Sequence, residues 1–497
     1  MDNDSSVIII GAGIGGIATA IYLAKNGYKV TVYEKNTTPG GRCGQIIRDG
    51  HRFDLGATIY LMPEIYRQVF QSIGFTPDEI IESVPLTTLY KIYFEDGTKV
   101  AFSSDQDILR EELENIEKGS YRKSQDLQKE GYRLFQLALH KLIGRNFFHL
   151  FEFATLKNAW LLLKLKTYIR HIPFVKRFFK HKHLQTVFTF QNIYLGQDPF
   201  RAPALFAMIP AAELAEGSLF PVGGMYSITR KLVSVAENLG VRFIYNEPVA
   251  AIKTEKYKAV GIVLQNGSLI RTSIVVANAD LPYVYRELLP DKKISKRIDK
   301  LKYTCSALVL HWGLDKSYPE IGHHSVFLSG DYRSNLKKIF HDQSLSENPS
   351  FYVHAPVRSD PTAAPQGQDT LSVIIPAGHL DGKHNYDWND LKNKARIAVI
   401  NRLKKHGLTD IEEHIKFEIC YLPQTWKSLF NLSRGATFGS LGHNIFQMGY
   451  FRPHNKHRQY QNLYFTGGST HPGNGIPLVL LSAKLTSERI FKDHQHE

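Results

Sequence analysis

The stretch VIIIGAGIGGIATAIYLAKNGYKVTVYEK, residues 7–35, constrains the fold more than any other part of the chain. Its β-branched apolar run predicts a short strand buried on both faces. Gly11, Gly13 and Gly16 follow with the spacing G-x-G-x-x-G, before a helical pattern and a second strand that ends at Glu34. In such a unit the glycines permit a tight turn, backbone contact with a pyrophosphate and helix–strand packing. The order of these features predicts a dinucleotide-binding unit of the Rossmann type.

The acid at the end of the second strand indicates how a nucleotide would be held. A carboxylate at Glu34 can accept hydrogen bonds from ribose hydroxyls, which favours a ribose diol over a 2′-phosphate. The start of the intervening helix offers unpaired N–H groups and a partial positive charge for phosphates. These residues alone leave FAD and NAD equally open.

Further small-residue turns favour FAD. The residues that we expect to contact the cofactor in these turns are Gly41 and Arg42 in EKNTTPGGRCGQ, Gly56, Ala57 and Thr58 in FDLGATIY, and Gly467, Gly475, Ile476 and Pro477 in NLYFTGGSTHPGNGIPLVLLSAK. Small residues let the backbone lie against a flat ring, and the arginine can pair with a phosphate or a flavin oxygen. The alternative for Arg42 is an ordinary surface arginine beside a turn. A second strand–glycine–helix element so late in the chain suits the pyrimidine end of a flavin, whose reduced form is anionic. An NAD-only domain has no need of it.

Together these stretches resemble the bacterial-type carotenoid desaturases, the phytoene and 4,4′-diapophytoene desaturase family, within the wider class of FAD amine-oxidase-like flavoproteins. The matching segments include VIIIGAGIGGIATA, EKNTTPGGR, FDLGATIYLMPEIY, FPVGGMYSI, TCSALVLHWGLDKSYPEIGHHSVF, VRSDPTAAPQGQDTLSVIIPAGHL, YFRPHN and NLYFTGGSTHPGNGIP. His471-Pro472 is similar to the desaturases, whereas related terminal oxygenases usually carry Asn-Pro. Ala57 stands where the family commonly has proline, and Gly468 stands where many flavoproteins of the wider class have an acid.

The resemblance implies an α/β fold, with a Rossmann-like FAD-binding domain of the glutathione-reductase/amine-oxidase type. That domain is interleaved with a substrate domain of mixed sheet and helices. The predicted segments are residues 1–70, 216–290 and 456–497 for the FAD-binding domain, 71–215 for a mostly helical substrate- and membrane-associating region, and 291–455 for the rest of the substrate domain. By the same resemblance, the backbone of Val249 meets the adenine. Asn266-Gly267 predicts a hairpin turn.

The implied activity is an FAD-dependent desaturation in carotenoid biosynthesis. An allylic hydride of phytoene or 4,4′-diapophytoene passes to flavin N5 and a proton leaves the adjacent carbon, which extends the conjugated polyene. Oxygen or a quinone then accepts the electrons, and no catalytic base is identified from the sequence. The alternatives are a carotenoid isomerase or terminal-methyl oxygenase of the same family, a flavin amine-oxidase-like enzyme with another substrate, and a non-catalytic membrane-binding protein.

A basic, aromatic segment suggests where an insoluble substrate would enter. The chain has 61 Lys and Arg against 47 Asp and Glu, and residues 141–183 hold ten of these basic residues but only one acid, Glu152. Bulky apolar residues interleave with them, which is typical of helices at the surface of an anionic membrane. The alternative is a core helix with a solvated basic face. Nucleic acid is not expected as a partner, because no motif for it accompanies the charge.

The cysteines and the N-terminus favour a cytoplasmic location with peripheral attachment to the membrane. Only three cysteines occur, without C-x-x-C spacing, which suggests a reducing compartment. Cys43 is expected to pack rather than react. The acidic MDNDSS start is unlike a secretory signal, and no apolar stretch is long enough to span a bilayer.

The 21 histidines show no zinc-binding spacing such as H-E-x-x-H, and the sequence predicts no metal. His323-His324 is expected to cap or fill a strand turn. His454 and His471 lie in motifs near the predicted flavin, where lining the cavity and structural hydrogen bonding are both open.

Overall fold

The computed structural model describes residues 6–494, so residues 1–5 of the MDNDSS segment lie outside the described residues. The strands are β1 (Ser6–Ile10), β2 (Lys29–Tyr33), β3 (Gln45–Arg48), β4 (His51–Asp54), β5 (Ser83–Leu86), β6 (Thr88–Tyr93), β7 (Lys99–Ser103), β8 (Ser218–Pro221), β9 (Arg242–Ile244), β10 (Val249–Glu255), β11 (Lys258–Leu264), β12 (Leu269–Arg271), β13 (Ile274–Ala277), β14 (Ser306–Leu314), β15 (His324–Phe327), β16 (Phe351–His354), β17 (Asp369–Ala377), β18 (Ile415–Tyr421) and β19 (Leu463–Phe465).

The α-helices are α1 (Ile14–Lys25), α2 (Pro63–Ser72), α3 (Pro77–Ile80), α4 (Gln106–Ile116), α5 (Ser120–Ala138), α6 (Leu150–Phe153), α7 (Leu156–Lys164), α8 (His171–Val175), α9 (Lys182–Val187), α10 (Met208–Glu216), α11 (Tyr226–Asn238), α12 (Leu281–Tyr283), α13 (Lys292–Ile298), α14 (Tyr332–Phe340), α15 (Trp388–Lys405), α16 (Pro423–Phe430) and α17 (Ile476–His494). Short 3₁₀ and π segments connect several of them.

A five-stranded parallel sheet joins distant parts of the chain in the order β19-β13-β1-β2-β9. Strand β1 is apolar on both faces, as its run of β-branched residues predicts. Val7 and Ile9 pack into the core shared with helices α1, α11 and α17, whereas Ile8 and Ile10 pack into a second core. That second core includes Ile252 and other apolar residues of the antiparallel sheet β10-β11-β12. The predicted α/β fold with a Rossmann-like unit is therefore confirmed.

The turn between β11 and β12 contains Asn266 and Gly267 and joins antiparallel strands, which confirms the predicted hairpin. Gly267 has φ +86°, a conformation that glycine adopts without strain.

A seven-stranded mixed sheet forms the other half of the molecule, in the order β18-β14-β17-β16-β15-β6-β7. One face buries Leu310, Trp312 and Val373 against helix α15, including Val399 and Leu403. The other face turns toward the first half of the chain and bears the residues described below.

Strands β5, β6 and β7 come from the region 71–215, which its sequence predicts to be mostly helical. Strand β6 pairs in parallel with the distant β15 and antiparallel with β7. This long-range pairing is decided by the second sheet, so local patterns did not reveal it. From α4 onward the region is largely helical.

Candidate functional site

A cavity of about 620 Å³ lies between the two sheets and is lined by residues from both ends of the chain. Its lining includes thirteen of the fourteen residues singled out from the sequence: Gly11, Gly13, Glu34, Gly41, Arg42, Gly56, Ala57, Thr58, Val249, Gly467, Gly475, Ile476 and Pro477. Gly16 is outside that lining. A β-carbon on Gly16 would lie 2.3 Å from the carbonyl oxygen of Gly11, so this glycine serves the close packing of helix and strand.

The glycine turn after β1 is held by the acid at the end of β2. Oε2 of Glu34 accepts a hydrogen bond of 2.8 Å from the Ala12 N–H, and Oε1 accepts one of 2.9 Å from Asn36. The carboxylate is buried, yet it borders the cavity. Each of its oxygens can still accept a further bond from a bound ribose.

Helix α1 begins at this turn with an unsatisfied end. Its N-cap is Gly13, which offers no side-chain hydrogen bond to the first-turn N–H groups. Helix α17 also begins at the cavity, since Gly475, Ile476 and Pro477 all line it. Two helix starts thus present partial positive charge to one cavity, as an anionic ligand requires.

Asn278, which follows β13, holds the two glycine elements together. Its Nδ2 donates to the carbonyl oxygen of Gly11 over 3.1 Å. A β-carbon on Gly15 would meet Oδ1 of Asn278 at 2.8 Å and Cα of Gly467 at 3.4 Å. Asn278 lies outside the glycine motifs and was not predicted from the sequence, although its place just after a parallel strand is where such folds bind ligands.

Arg42 is anchored rather than free at the surface. Its Nη1 donates to the Thr437 carbonyl oxygen over 2.7 Å, and burial lowers the pKa of its guanidinium. Asp280 is the charge that opposes this effect, and burial in turn raises the pKa of Asp280. Oδ2 of Asp280 accepts from the Ser433 N–H over 2.9 Å. Arg42 therefore presents a fixed cation to the cavity.

Asn474 provides a direct sign that the cavity receives a polar ligand. Its side chain is buried and lines the cavity, but neither its Oδ1 nor its Nδ2 has a hydrogen-bond partner. A buried amide without partners costs about 1–3 kcal/mol, so such groups normally bind something. The sequence signal for Asn474 is its position as a polar residue between two glycines of the motif THPGNGIP.

The far wall of the cavity is a row of side chains across the second sheet. Val309, Ile374, Tyr352 and Val326 are register partners on neighbouring strands, and all four line the cavity. The Tyr352 hydroxyl and Thr58 Oγ1 are hydrogen-bonded at 3.0 Å, which ties this wall to the Gly56–Thr58 turn. Leu336, Ile339 and Phe438 extend the apolar surface.

The charged residues of the cavity lie at the end opposite this apolar wall. The charged residues among the described lining are Glu34, Lys35, Arg42 and Asp280, all near the parallel sheet. Lys35 is committed to Ser428 and Asn431 through its Nζ. The site thus has a polar nucleotide-like end and an apolar end.

Cys43 is a packing residue, as expected. Its Sγ contacts the Met225 carbonyl oxygen at 3.5 Å, and burial raises the pKa of its thiol to about 12. The reactive thiolate is therefore disfavoured.

Two histidines considered for the cavity have structural surroundings. Nε2 of His471 contacts the Arg145 carbonyl oxygen at 3.0 Å, and the His454 ring packs edge-on against Tyr450 at 4.7 Å. Neither belongs to the described lining.

The basic segment 141–183 folds as several short helices. Phe147, Phe153 and Phe179 are buried in the core. Helix α7, by contrast, has no buried residue, and Leu156 and Trp160 on it are 91% and 60% exposed. We define the apolar patch as the exposed side chains Leu150, Phe151, Leu156, Trp160, Leu163, Tyr168, Phe446 and Phe451.

Phe446 and Phe451 of this patch come from a part of the chain far from residues 150–168. Phe451 packs edge-on against Phe153 at 5.4 Å, which brings the segment after residue 444 beside helix α6. Lys164 lies 5.7 Å from the Trp160 ring centre, so cations border the patch. Within residues 6–494, no helix is both long and apolar enough to cross a bilayer.

The residues of the cavity fit FAD. The glycine turns leave room where β-carbons would clash. Two helix N-termini and Arg42 suit a pyrophosphate, and the buried amide of Asn474 can bond to a polar group of the ligand because it has no partner in the protein. The sequence-predicted contacts of individual residues with the cofactor remain predictions.

Comparisons with known proteins agree with this geometry. A family model described as flavin containing amine oxidoreductase matches residues 14–491. A zeta-carotene-forming phytoene desaturase from Myxococcus xanthus is 38% identical over 487 residues, covering 98% of this chain and 93% of the relative. A 4,4′-diapophytoene desaturase (4,4′-diaponeurosporene-forming) from Staphylococcus aureus strain Newman is 32% identical over 497 residues, covering 98% and 99%.

Among solved structures, putrescine oxidase bound to putrescine superposes with a TM-score of 0.65 at 14% identity, covering 98% of this chain and 99% of that one. At this identity the likeness concerns the fold alone.

Proposed function

The chain belongs to the flavin containing amine oxidoreductase family and, within it, to the phytoene and diapophytoene desaturases, and from that premise we propose that it desaturates a linear carotenoid precursor. It is an oxidoreductase whose cofactor is FAD. The proposed substrate is phytoene or 4,4′-diapophytoene, and the product is a longer conjugated polyene.

One observation carries the choice of a hydrocarbon over an amine. Beyond the four charged residues at the nucleotide end, the described lining of the cavity contains no charged side chain. A substrate amine would bring a cation that needs a carboxylate or another partner when it is desolvated. The wall of Val309, Ile374 and Val326 instead suits an uncharged chain.

The residues of the chain have separate tasks in this reaction. The glycine turns, Glu34 and Arg42 would hold the dinucleotide, and the Asn474 amide would bond to its polar edge. Bound FAD supplies the two-electron oxidation that no side chain can provide. The apolar wall would keep the polyene extended beside the cofactor and exclude water.

Among the described residues that line the apolar end, no strong base is present to accept the proton that the substrate loses. The polar groups there are neutral hydroxyls and amides, including Tyr194, Tyr332, Tyr352 and Asn335. A positive charge that develops on the substrate is delocalised along its double bonds, so a weak acceptor such as a hydroxyl or water suffices.

The test is production of the protein in two bacterial hosts, one accumulating phytoene and the other 4,4′-diapophytoene. Desaturation shifts the absorbance of the extracted polyene to longer wavelength and lowers its mass by two hydrogens per new double bond. An isomerase would leave the mass unchanged, and a terminal oxygenase would raise it by oxygen. Colourless extracts of both hosts, with soluble FAD-loaded protein present, would contradict the proposal.

We also propose that the apolar patch lies on a membrane, where these insoluble substrates reside. Its exposed Phe151, Leu156 and Trp160 would enter the interface, and neighbouring cations such as Lys157 and Lys164 would meet anionic headgroups. This arrangement supports peripheral attachment, and the low cysteine content favours the cytoplasmic side. Oxygen or a membrane quinone would accept the electrons, and anaerobic turnover with and without quinone distinguishes the two.

A further inference from the structure

A cluster of buried histidines lies next to the cavity, on the same face of the second sheet. His311, Ser372, His354 and His324 are register partners across β14, β17, β16 and β15. They form the row adjacent to the cavity-wall row of Val309, Ile374, Tyr352 and Val326. Because alternate residues of a strand share a face, the histidines continue the cavity wall away from the cavity.

Three of these imidazoles converge. One ring nitrogen from each of His323, His324 and His354 lies within 4.8 Å of the other two. The ring centres of His323 and His354 are 5.0 Å apart, and those of His324 and His354 are 5.5 Å apart. All three residues are buried, and burial lowers the pKa of each imidazole, which keeps the rings neutral.

One ring nitrogen of His323 and one of His324 are hydrogen-bonded, while three other ring nitrogens of the cluster lack partners. Nδ1 of His323 pairs with Ser359 Oγ at 2.8 Å, and Nδ1 of His324 pairs with the Tyr352 hydroxyl at 2.7 Å. Nε2 of His323 and both ring nitrogens of His354 have no hydrogen-bond partner. His323 thus has the arrangement typical of metal-bound histidines, in which a second group fixes one nitrogen and the other is left for the metal.

We propose that His323, His324 and His354 bind a divalent first-row transition ion, with zinc as the occupant. Neutral imidazole suits this class of ion, and three histidines leave a fourth position for water or a hydroxyl. Zinc–nitrogen bonds of about 2.0 Å require ring nitrogens about 3.3 Å apart, so the rings need to move inward by no more than about 1.5 Å.

Arg358 is the cation whose charge acts on His323, and Asp369 neutralises it at 2.6 Å. A zinc ion here would pin β15 to β16 and, through His324, hold the Tyr352 hydroxyl against Thr58 at the cavity wall. Its role would be structural.

The test uses the full-length FAD-loaded protein, stripped with a chelator, equilibrated with zinc and desalted. Mass spectrometry of metals should find close to one zinc ion per chain in the wild type, and zinc should raise its melting temperature. His354→Gln should lose both effects while keeping its FAD. Ser359→Ala, which removes only the support of His323, should weaken zinc binding by about tenfold.

His379→Gln is the matched control. His379 is another buried histidine with an unpartnered ring nitrogen, but it lies after β17 and outside the cluster. It should bind zinc as the wild type does. X-ray absorption of the wild-type zinc protein, which needs no variant, should show a nitrogen shell with imidazole scattering. Wild-type protein without retained zinc, equal zinc in His354→Gln, or a sulfur-containing shell would each overturn the proposal.

Discussion

Gly15, in the first turn of helix α1, lies against Gly467, which is more than 450 residues later in the chain. A β-carbon built on Gly15 would be 3.4 Å from Cα of Gly467, 2.8 Å from Oδ1 of Asn278 and 3.0 Å from Val479. Both glycines line the cavity. The two ends of the polypeptide therefore meet at one site, and they can approach so closely because glycine has no side chain.

The first prediction follows from this contact. Gly15→Ala would displace the Asn278 side chain, whose Oδ1 would lie only 2.8 Å from the new β-carbon, and would crowd Val479 of helix α17 at 3.0 Å. The ratio of bound FAD to protein, read from the flavin absorbance, should fall at least tenfold. Gly267→Asn, in an open hairpin turn where asparagine tolerates positive φ, should keep full FAD content. Equal FAD in both variants would contradict the packing argument.

A second prediction concerns Asn474, whose unpartnered buried amide destabilises the folded protein when FAD is not bound. Asn474→Ala should leave the melting temperature of the apoprotein unchanged or higher, because it removes a buried unsatisfied group. The same change should weaken FAD binding by about tenfold or more, which corresponds to loss of about 1.4 kcal/mol.

Asn146 is the matched control for that experiment. Its Nδ2 donates to the Leu485 carbonyl oxygen and to Glu488, and its Oδ1 accepts from Arg489. Asn146→Ala should lower the melting temperature and leave FAD affinity unchanged. If Asn474→Ala behaved in the same way, Asn474 would be a structural residue and not a cofactor ligand.

The third prediction is a pH dependence of stability that Glu213 causes. Burial raises the pKa of this carboxyl from 4.5 to about 8 in the folded protein. The folded state then binds the proton more tightly than the unfolded state, so this residue lowers the free energy of unfolding as pH rises from about 4.5 to 8. Denaturant titrations should show that, between pH 5 and pH 8, Glu213→Gln loses less stability, or gains more, than the wild type. The exposed Glu237→Gln should retain the wild-type difference; an unaltered slope in Glu213→Gln would disprove the assignment.

The fourth prediction concerns the apolar patch. The double variant Leu156→Ser/Trp160→Ser changes two side chains of a helix with no buried residue, so FAD content should not change. Its co-sedimentation with vesicles containing anionic lipid should fall about tenfold or more, since each large apolar side chain contributes up to about 1.5–3 kcal/mol on burial.

Tyr257→Ser/Leu269→Ser provides the control for surface hydrophobicity. These residues are 64% and 40% exposed and lie at the β10–β12 sheet. This variant should bind vesicles as the wild type does. Equal losses in the two double variants would mean that attachment is not localised to the patch.

The sequence predicted the secondary-structure elements that local interactions are sufficient to form. The glycine turn and helix α1 follow from one contiguous stretch, residues 7–35, whose steric and periodic requirements are local. The predicted cavity residues were found because glycine-rich motifs mark backbone approaches to a ligand.

Other features depend on pairings that no local pattern encodes. Strands β6 and β7 exist because the second sheet offers β15 as a neighbour. His323 lies in the bend before β15 and His324 begins that strand, as expected, but only the pairing of β15 with β16 places His324 opposite His354. The segment 141–183 divides into buried and exposed aromatic residues only once the core is assembled.

The sequence by itself thus determined that a dinucleotide unit begins the chain and that its closing element lies near the C-terminus, because backbone sterics at glycines are properties of a few neighbouring residues. Only the tertiary structure decided which polar groups are left without partners, such as Asn474, and where charge is absent from the cavity. Burial and hydrogen bonding are properties of the packed whole, since they depend on atoms contributed by distant parts of the chain.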